Sequence, residues 1–373
     1  MDAGGRATQG AVAEDGGERH QKFTLLHPHP NPPPSRGRES NHGLSRARLS
    51  PVIVSHQRGL ALITAMLVVA LAATAAAYLS LDQQIWLRQA QNLSDRAQAE
   101  VVRQGALDWA AILLTKNTKD DTSDNLTQTW AKPLPIVAVE GGQVTGHIED
   151  AQGRFNLNNL LRNGAPSPAD IGVFQRLLQA QSLDPNLSDA VLDWIDADGT
   201  NRPYGAEDID YLLLKTPYRA ANQPMQSVEE LRLVKGFTME IVDKLRPWIT
   251  ALPQPTEINI NTAPKEMLSA VFNTLPSSAI DQLATEREKN PFTDKTKLTQ
   301  RLSELAGGKA LPPVESYGIK SSYFEVAIDT QFGRYQRATL ALLFRPAGGP
   351  VEALWHGQRL PLSAGEAVAK QAP

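Results

Sequence analysis

Asp193, Asp196, Asp198, Glu207, Asp208 and Asp210 fall within 18 residues, in the stretch LDWIDADGTNRPYGAEDIDY. Carboxylates this close repel one another unless water or a cation intervenes, and a hard cation such as calcium takes roughly six to eight oxygens. With Asp196 as position 1, Asp198 stands at 3, Thr200 at 5, Arg202 (through its carbonyl) at 7 and Glu207 at 12. That is the ligand spacing of an EF-hand, although Gly199 at 4 and Pro203 at 8 depart from it. The predicted ligands are Asp196, Asp198, Glu207 and Asp208, with Asp193, Thr200 and Asp210 as further candidates. The alternative is a solvated turn whose acids pair with Arg202 or Arg219. A catalytic carboxylate pair is the weakest reading. Nothing nucleophilic accompanies the acids, and beyond residue 59 the histidines are His147 and His356. Gly-X-Ser-X-Gly, His-Glu-X-X-His and phosphate-loop patterns are absent from the sequence. Ser123-Asp124-Asn125 matches a β-lactamase triplet without its partner motifs. The chain is read as a non-enzyme.

The acidic stretch sits among amphipathic, capped helical pieces: PADIGVFQRLLQAQSL, LSDAVLDWIDAD, SVEELRLVKGFTMEIVDKLRPWI and APKEMLSAVFNTLPSSAIDQLATEREKN. Ser227 with Glu230 has the spacing of a capping box. The echoes Asn156-Leu-Asn-Asn159 and Asn259-Ile-Asn-Thr262 predict helix starts, with Asn261 or Thr262 as cap and Pro264 in the first turn. Strands flank this helical region. Ile136–Val139 and Val144–Ile148 surround Gly141-Gly142, a hairpin signal, and Phe324, Val326 and Ile328 alternate before a turn at Gly333 and an apolar run to Phe344. Two such hairpins are too small to fold apart, so they predict one antiparallel sheet split by a helical insertion and packed on a helix around Trp109. The fold class is α+β. The expected sheet segments are 130–155 and 318–346, the insertion is 156–317, and 347–373 is a flexible tail in which Trp355 is a candidate for docking.

Composition is globular, 41% apolar and 21% charged, and the absence of cysteine excludes disulfides and thiolate sites. Residues 1–59 differ: they hold six of the 26 prolines and five of the seven histidines. They cannot bury a core. Two readings stay open, a disordered extension or a true start near Val52 or Val54 that leaves residues 1–51 untranslated. Without residues 1–59 the chain carries 29 basic and 35 acidic residues, a net charge of -6.

From Leu60 to Leu81 no charge occurs, enough to span a bilayer, which takes about 20 residues. Arg46, Arg48 and Arg58 put positive charge on the N-terminal side, so that end is expected in the cytoplasm and the rest outside it. The helical pattern then continues: Trp86, Ala90, Leu93, Ala97 and Val101 share one face, and no proline occurs before Pro133. A helix from Leu60 to about Thr115 measures roughly 80 Å at about 1.5 Å per residue. Residues 60–81 are its membrane half and 82–117 its amphipathic half. A plain tether has no need of that continuity.

RG-LALITAMLVVALAATAAAYLSLDQQ resembles the N-terminus of type IV pilin-like proteins. The resemblance implies cleavage by a prepilin peptidase between Gly59 and Leu60, with methylation of the new N-terminus. Thr64 occupies the fifth mature position, where such proteins usually carry glutamate, and Leu60 replaces the usual phenylalanine. These departures resemble one branch, the minor pseudopilin K family of type II secretion. A carboxylate in an apolar helix is costly without a cation. In a fibre, the resemblance implies, a neighbouring subunit's terminal amine supplies it, and a tip subunit without a neighbour above can omit the acid. The order helix, part-sheet, α-domain, rest of sheet matches that family from about Gly59 to Arg345. GAEDIDYLLLKTPYRAANQPMQSVEELRLVKG is its most specific stretch. The resemblance implies a pilin-like fold, calcium in the α-domain, minor pseudopilins I and J as partners, and a single-pass inner-membrane subunit of a Gram-negative bacterium with its C-terminal part in the periplasm. It further implies a place at the pseudopilus tip, where the subunit initiates assembly and supports export of folded proteins.

The rival reading is an exported DNA-uptake or DNA-binding protein, because LRLVKGFTMEIVDKLRPWI and LSAVFNTLPSSAIDQLATERE resemble helix-hairpin-helix units. That mode needs turn amides and nearby basic residues on phosphates. The first turn has one glycine, Gly236. The second, Leu275-Pro276-Ser277-Ser278, has none, and the chain is net acidic. The units are read as packing modules, with no nucleic acid expected.

Overall fold

The computed structural model describes residues 58–120, 122–347 and 349–359. They divide into two compact units at Ala70 and Leu71. In the first unit, residues 60–70 are helical and every described side chain is exposed. Helix α1 (Arg58–Asp120) is unbroken, as the absence of proline predicts, and it is long and apolar enough to cross a bilayer, its most apolar 18 residues having a mean hydropathy of 2.4.

In the second unit, α1 meets a five-stranded antiparallel sheet. Its strands are β1 (Leu134–Val139), β2 (Gly142–Asp150), β3 (Tyr323–Phe332), β4 (Tyr335–Phe344) and β5 (Glu352–Arg359), in that spatial order. Gly141, with φ +78°, makes the predicted first turn, a conformation that costs glycine nothing. The helix-facing row of the sheet includes Val144, Ile148, Phe324, Val326, Ile328 and Leu343. It closes on Leu107, Ala110 and Leu114 of α1, with Trp130 edge-on to Phe324 at 5.2 Å. Full burial of one such side chain stabilises by about 1.5–3 kcal/mol.

The sheet packs on the helix around Trp109, through Leu107 and Ala110, while Trp109 itself is half-exposed; the buried stripe of α1 runs through Ala99, Arg103, Leu107, Ala110 and Leu114. The apolar face read from the sequence, Trp86, Leu93 and Val101, points to solvent. Arg103 hides the stripe from a hydrophobicity pattern: it is buried because Glu100 neutralises it through a two-point contact. Against expectation, the tail is not flexible from residue 347. β5 pairs with β4 from Ala338↔Arg359 to Phe344↔Glu352, and half-exposed Trp355 sits opposite Leu342. Residues 360–373 lie outside the described part.

Between β2 and β3 the chain makes a helical body: α2 (Pro168–Ala180), α3 (Leu187–Ile195), α4 (Asp208–Leu212), α5 (Met239–Leu245), α6 (Lys265–Val271), α7 (Ser277–Lys289) and α8 (Lys295–Ala306). It has its own core around Phe155, Phe174, Trp194, Leu268, Phe272 and Leu283. The Ser227–Glu230 capping box forms, at the start of a 3-10 turn, Val228–Leu233.

Of the asparagine echoes, Asn156 does start a short 3-10 helix, Leu157–Leu160, by accepting from the Asn158 N–H at 3.2 Å, while Asn158, Asn159 and Asn261 reach distant backbone instead. Asn159 binds the backbone N–H and C=O of Thr256 at 2.8 and 2.9 Å, Asn158 does the same to Met225, and Asn261 does the same to Phe292. Amide side chains match a peptide group donor for acceptor, so buried asparagine staples distant loops. Helix α6 starts after Pro264 without a side-chain cap, while the Thr262 hydroxyl is drawn away to Asp150 at 2.6 Å.

The body joins the sheet through a second buried polar cluster. Asp150 accepts from Gln152 N, Asn259 Nδ2, Thr262 Oγ1 and Ser321 Oγ at 2.6–2.9 Å, and burial pushes its carboxyl above the usual range. Beside it Arg345 pairs with Asp124 at 2.5 Å and covers the Phe324 ring. The Ser123-Asp124-Asn125 triplet is therefore buried structure.

Candidate metal centre

Helix α3 carries Asp193 on its buried side and ends at Asp196, whose extended backbone turns the chain outward. Asp198 closes the next turn by accepting from the Thr200 N–H at 2.9 Å. The chain returns through Gly205, where a Cβ would fall on the Asp193 carboxylate, so only glycine fits. Lys235 Nζ holds the Gly205 carbonyl at 2.9 Å, which fixes the approach to Glu207 and α4.

This path brings Asp196, Asp198 and Glu207 together, each offering a carboxylate oxygen within 4.8 Å of the others. Two oxygens on one calcium at about 2.4 Å each can stand at most about 4.8 Å apart, so the spacing fits a shared hard cation. Asp196 Oδ1 and Glu207 Oε1 are buried with no hydrogen-bond partner, although Asp196 and Glu207 are 4% and 5% exposed. Burial and the charges of Asp193, Asp196, Asp198 and Asp208 push Glu207 up to about 7. A cation against these oxygens would offset both effects.

The other candidates have partners of their own. Arg202 Nη1 donates to Asp193 Oδ1 at 2.5 Å and to Asp196 Oδ2 at 2.6 Å, and its backbone N–H donates to Asp193 Oδ2 at 3.0 Å. Burial still raises the Asp193 carboxyl against that pull. Asp208 is held by Arg219 at 2.6 Å and the Ala220 N–H at 3.0 Å. Asp210 accepts from the Glu207 N–H and from Asn201, which hold its carboxyl low. Thr200 is exposed. Both ion pairs of the solvated-turn alternative therefore form, yet they leave Asp196, Asp198 and Glu207 converging. Lys235 and Gly205 escaped sequence reasoning; the signal was a Gly-Ala step ahead of the second acid run.

The first helix-hairpin-helix turn is anchored by Val234 and Phe237, which are buried, while Lys235 and Gly236 are exposed. The Lys235 N–H donates to the Tyr211 hydroxyl, and Leu187 stands 2.7 Å from where a Cβ on Gly236 would be. At the other end of the chain, Gly59 and Leu60 lie in the first turn of α1, and the Thr64 hydroxyl is satisfied within the helix by the carbonyls of Leu60 and Ala61, both at 3.0 Å.

The chain matches the family description "Type II secretion system (T2SS), protein K" over residues 153–254 and again over 258–316. It is 33% identical over 311 residues to the type II secretion system protein K of Pseudomonas aeruginosa, covering 80% of this chain and 92% of that one. The Aeromonas hydrophila protein is 31% identical over 309 residues, 77% of this chain and 92% of its own. In structure it is similar to a chain of the GspK-GspI-GspJ complex from enterotoxigenic Escherichia coli, with TM-score 0.60 and 22% identity, covering 73% of this chain and 100% of that one. That likeness supports the fold. With a third of its residues identical across nine-tenths of the Pseudomonas protein, the chain belongs to the type II secretion system protein K family.

Proposed function

We propose that the chain is the minor pseudopilin at the tip of a periplasmic pseudopilus, where it initiates fibre assembly and supports export of folded proteins. Prepilin peptidase cuts between Gly59 and Leu60 and the new amine is methylated. Minor pseudopilins I and J are its partners, as the name of the solved complex supports. The observation that carries the reading is the division of α1. One stripe is buried under the sheet, while Trp86, Leu93, Val101 and Ile112 stay exposed along the same helix. Exposed apolar side chains at helical spacing suit neighbouring helices in a filament. The structural subunit needs no catalytic group, and His147 and His356 lie in β2 and β5, away from the acidic loop. Val234 and Phe237, on either side of the Gly236 turn, are buried in the core of the body, which supports a packing role for that helix-hairpin-helix unit rather than DNA binding.

A calcium ion on Asp196, Asp198 and Glu207 would bind the α3–α4 loop to the helical body, with loop carbonyls or water completing its shell. The test of the assembly reading is co-expression of the full chain with pseudopilins I and J. The expected result is a ternary complex extracted from membranes and lost in Leu93→Asp and Val101→Asp. A wild-type chain that purifies alone overturns it.

A further inference from the structure

Beyond the acidic loop, α4 exposes an apolar surface that the assembly reading leaves unused. Ile209, Leu212 and Leu213 stand at i, i+3 and i+4, and Ile209 and Leu213 are 75% and 82% exposed. Leu214 and Tyr204 extend the exposed apolar side chains on either side. Soluble surfaces rarely gather apolar side chains in this way without a contact to make. The segment is nonetheless held firmly. Tyr211, on the opposite side of α4, is buried between Trp194 and Tyr218, and Arg219 clamps Asp208. The apolar side chains are thus presented by a fixed turn.

The charges around them choose between occupants. Residues 184–222 hold eight carboxylates and three basic residues. Arg202 and Arg219 pair internally with Asp193, Asp196 and Asp208, which leaves five carboxylates against Lys215. A divalent ion in the loop leaves this surround negative. An anionic lipid surface and a symmetric contact with a second copy both meet like charge here. An apolar protein segment flanked by lysine or arginine meets complementary charge around an apolar centre.

We infer that the α4 face, centred on Ile209 and Leu213, is a docking surface for an apolar protein segment with basic flanks. It lies on the helical body, apart from the exposed stripe of α1, so loss of one contact leaves the other intact. Because Ile209 and Leu213 are solvent-exposed, Leu213→Asp and Ile209→Ser keep the fold, which an unchanged melting temperature verifies.

The probes are two fluorescent leucine-rich peptides of equal length, one flanked by lysines and one by glutamates, titrated by anisotropy into the full chain in neutral-lipid nanodiscs. The expected result is binding of the lysine-flanked peptide at least ~10-fold tighter than the glutamate-flanked one, weakened at least ~10-fold by Leu213→Asp and by Ile209→Ser. Equal binding of the two peptides, or binding unaffected by both substitutions, overturns the inference. A photocrosslinker at position 213 in secreting cells gives the second arm. A crosslinked peptide that is apolar and lysine- or arginine-flanked supports the surface; crosslinks confined to lipid or to a second copy overturn it. The readout does not require calcium, so a failed metal site and a failed docking surface are distinguishable.

Discussion

Glu207→Gln isolates the electrostatics of the acidic loop. In the metal-free protein Glu207 is pushed from 4.5 up to about 7, first by burial and then by the four neighbouring aspartates. The folded state therefore keeps a proton that the unfolded chain releases near pH 4.5. Stability contributed by this group is full below that point, falls as pH rises, and is gone above about pH 7. The gap corresponds to about 3 kcal/mol. For a cooperative unit of about 150–250 residues that is a shift of about 6–12 °C in melting temperature. Glutamine keeps the shape and removes the titration. Thermal unfolding of both proteins in EGTA, from pH 5 to 8, should show the wild type losing stability with rising pH relative to the variant. Asp150 titrates in both, so the difference belongs to Glu207 and its coupling to the neighbouring aspartates. Parallel profiles would refute the claim that burial and neighbouring charge raise its carboxyl.

Calcium should reverse that slope. At pH 8 a hundredfold excess over Kd adds about 2.7 kcal/mol, and the gain should shrink below pH 7 as Glu207 protonates, measured by calorimetry. Arg345→Met removes the partner of buried Asp124 where α1, the sheet and the helical body meet, and should cost about 3–5 kcal/mol in urea unfolding. Asn159→Ala leaves the Thr256 backbone N–H without its partner, while its C=O keeps Arg162, and should cost about 1–3 kcal/mol by the same assay.

Local chemistry explains what the sequence disclosed. Gly141-Gly142 and Gly333 can be read as turns because few residues accept those angles, and alternation at Phe324, Val326 and Ile328 marks a strand with one buried face. The split sheet follows, since neither hairpin buries enough alone. The convergence of Asp196, Asp198 and Glu207 was legible as spacing. The engagement of Asp208 by Arg219, eleven residues away, depends on a loop path that spacing does not encode. Which side of α1 meets the sheet is not written as a hydrophobic pattern, because its buried stripe uses alanine and a neutralised arginine while its most apolar face is exposed. Asn156 caps a short helix whereas Asn261 staples a distant loop, since a short amide serves either purpose and the loop decides. Helix α8 went unnoticed despite Asp294 at its start and Leu298 and Leu302 inside it, because polar residues dominate between them. Strand β5 has no clean alternation and is ordered by β4.

The central claim is that α1 is a filament stem released from a basic leader. Intact mass and N-terminal fragmentation of the full chain co-expressed with a prepilin peptidase test it most directly. The account predicts a chain beginning at a methylated Leu60. A chain that still carries Arg58 and Gly59 ahead of that residue, under conditions where a control pseudopilin is processed, would contradict it.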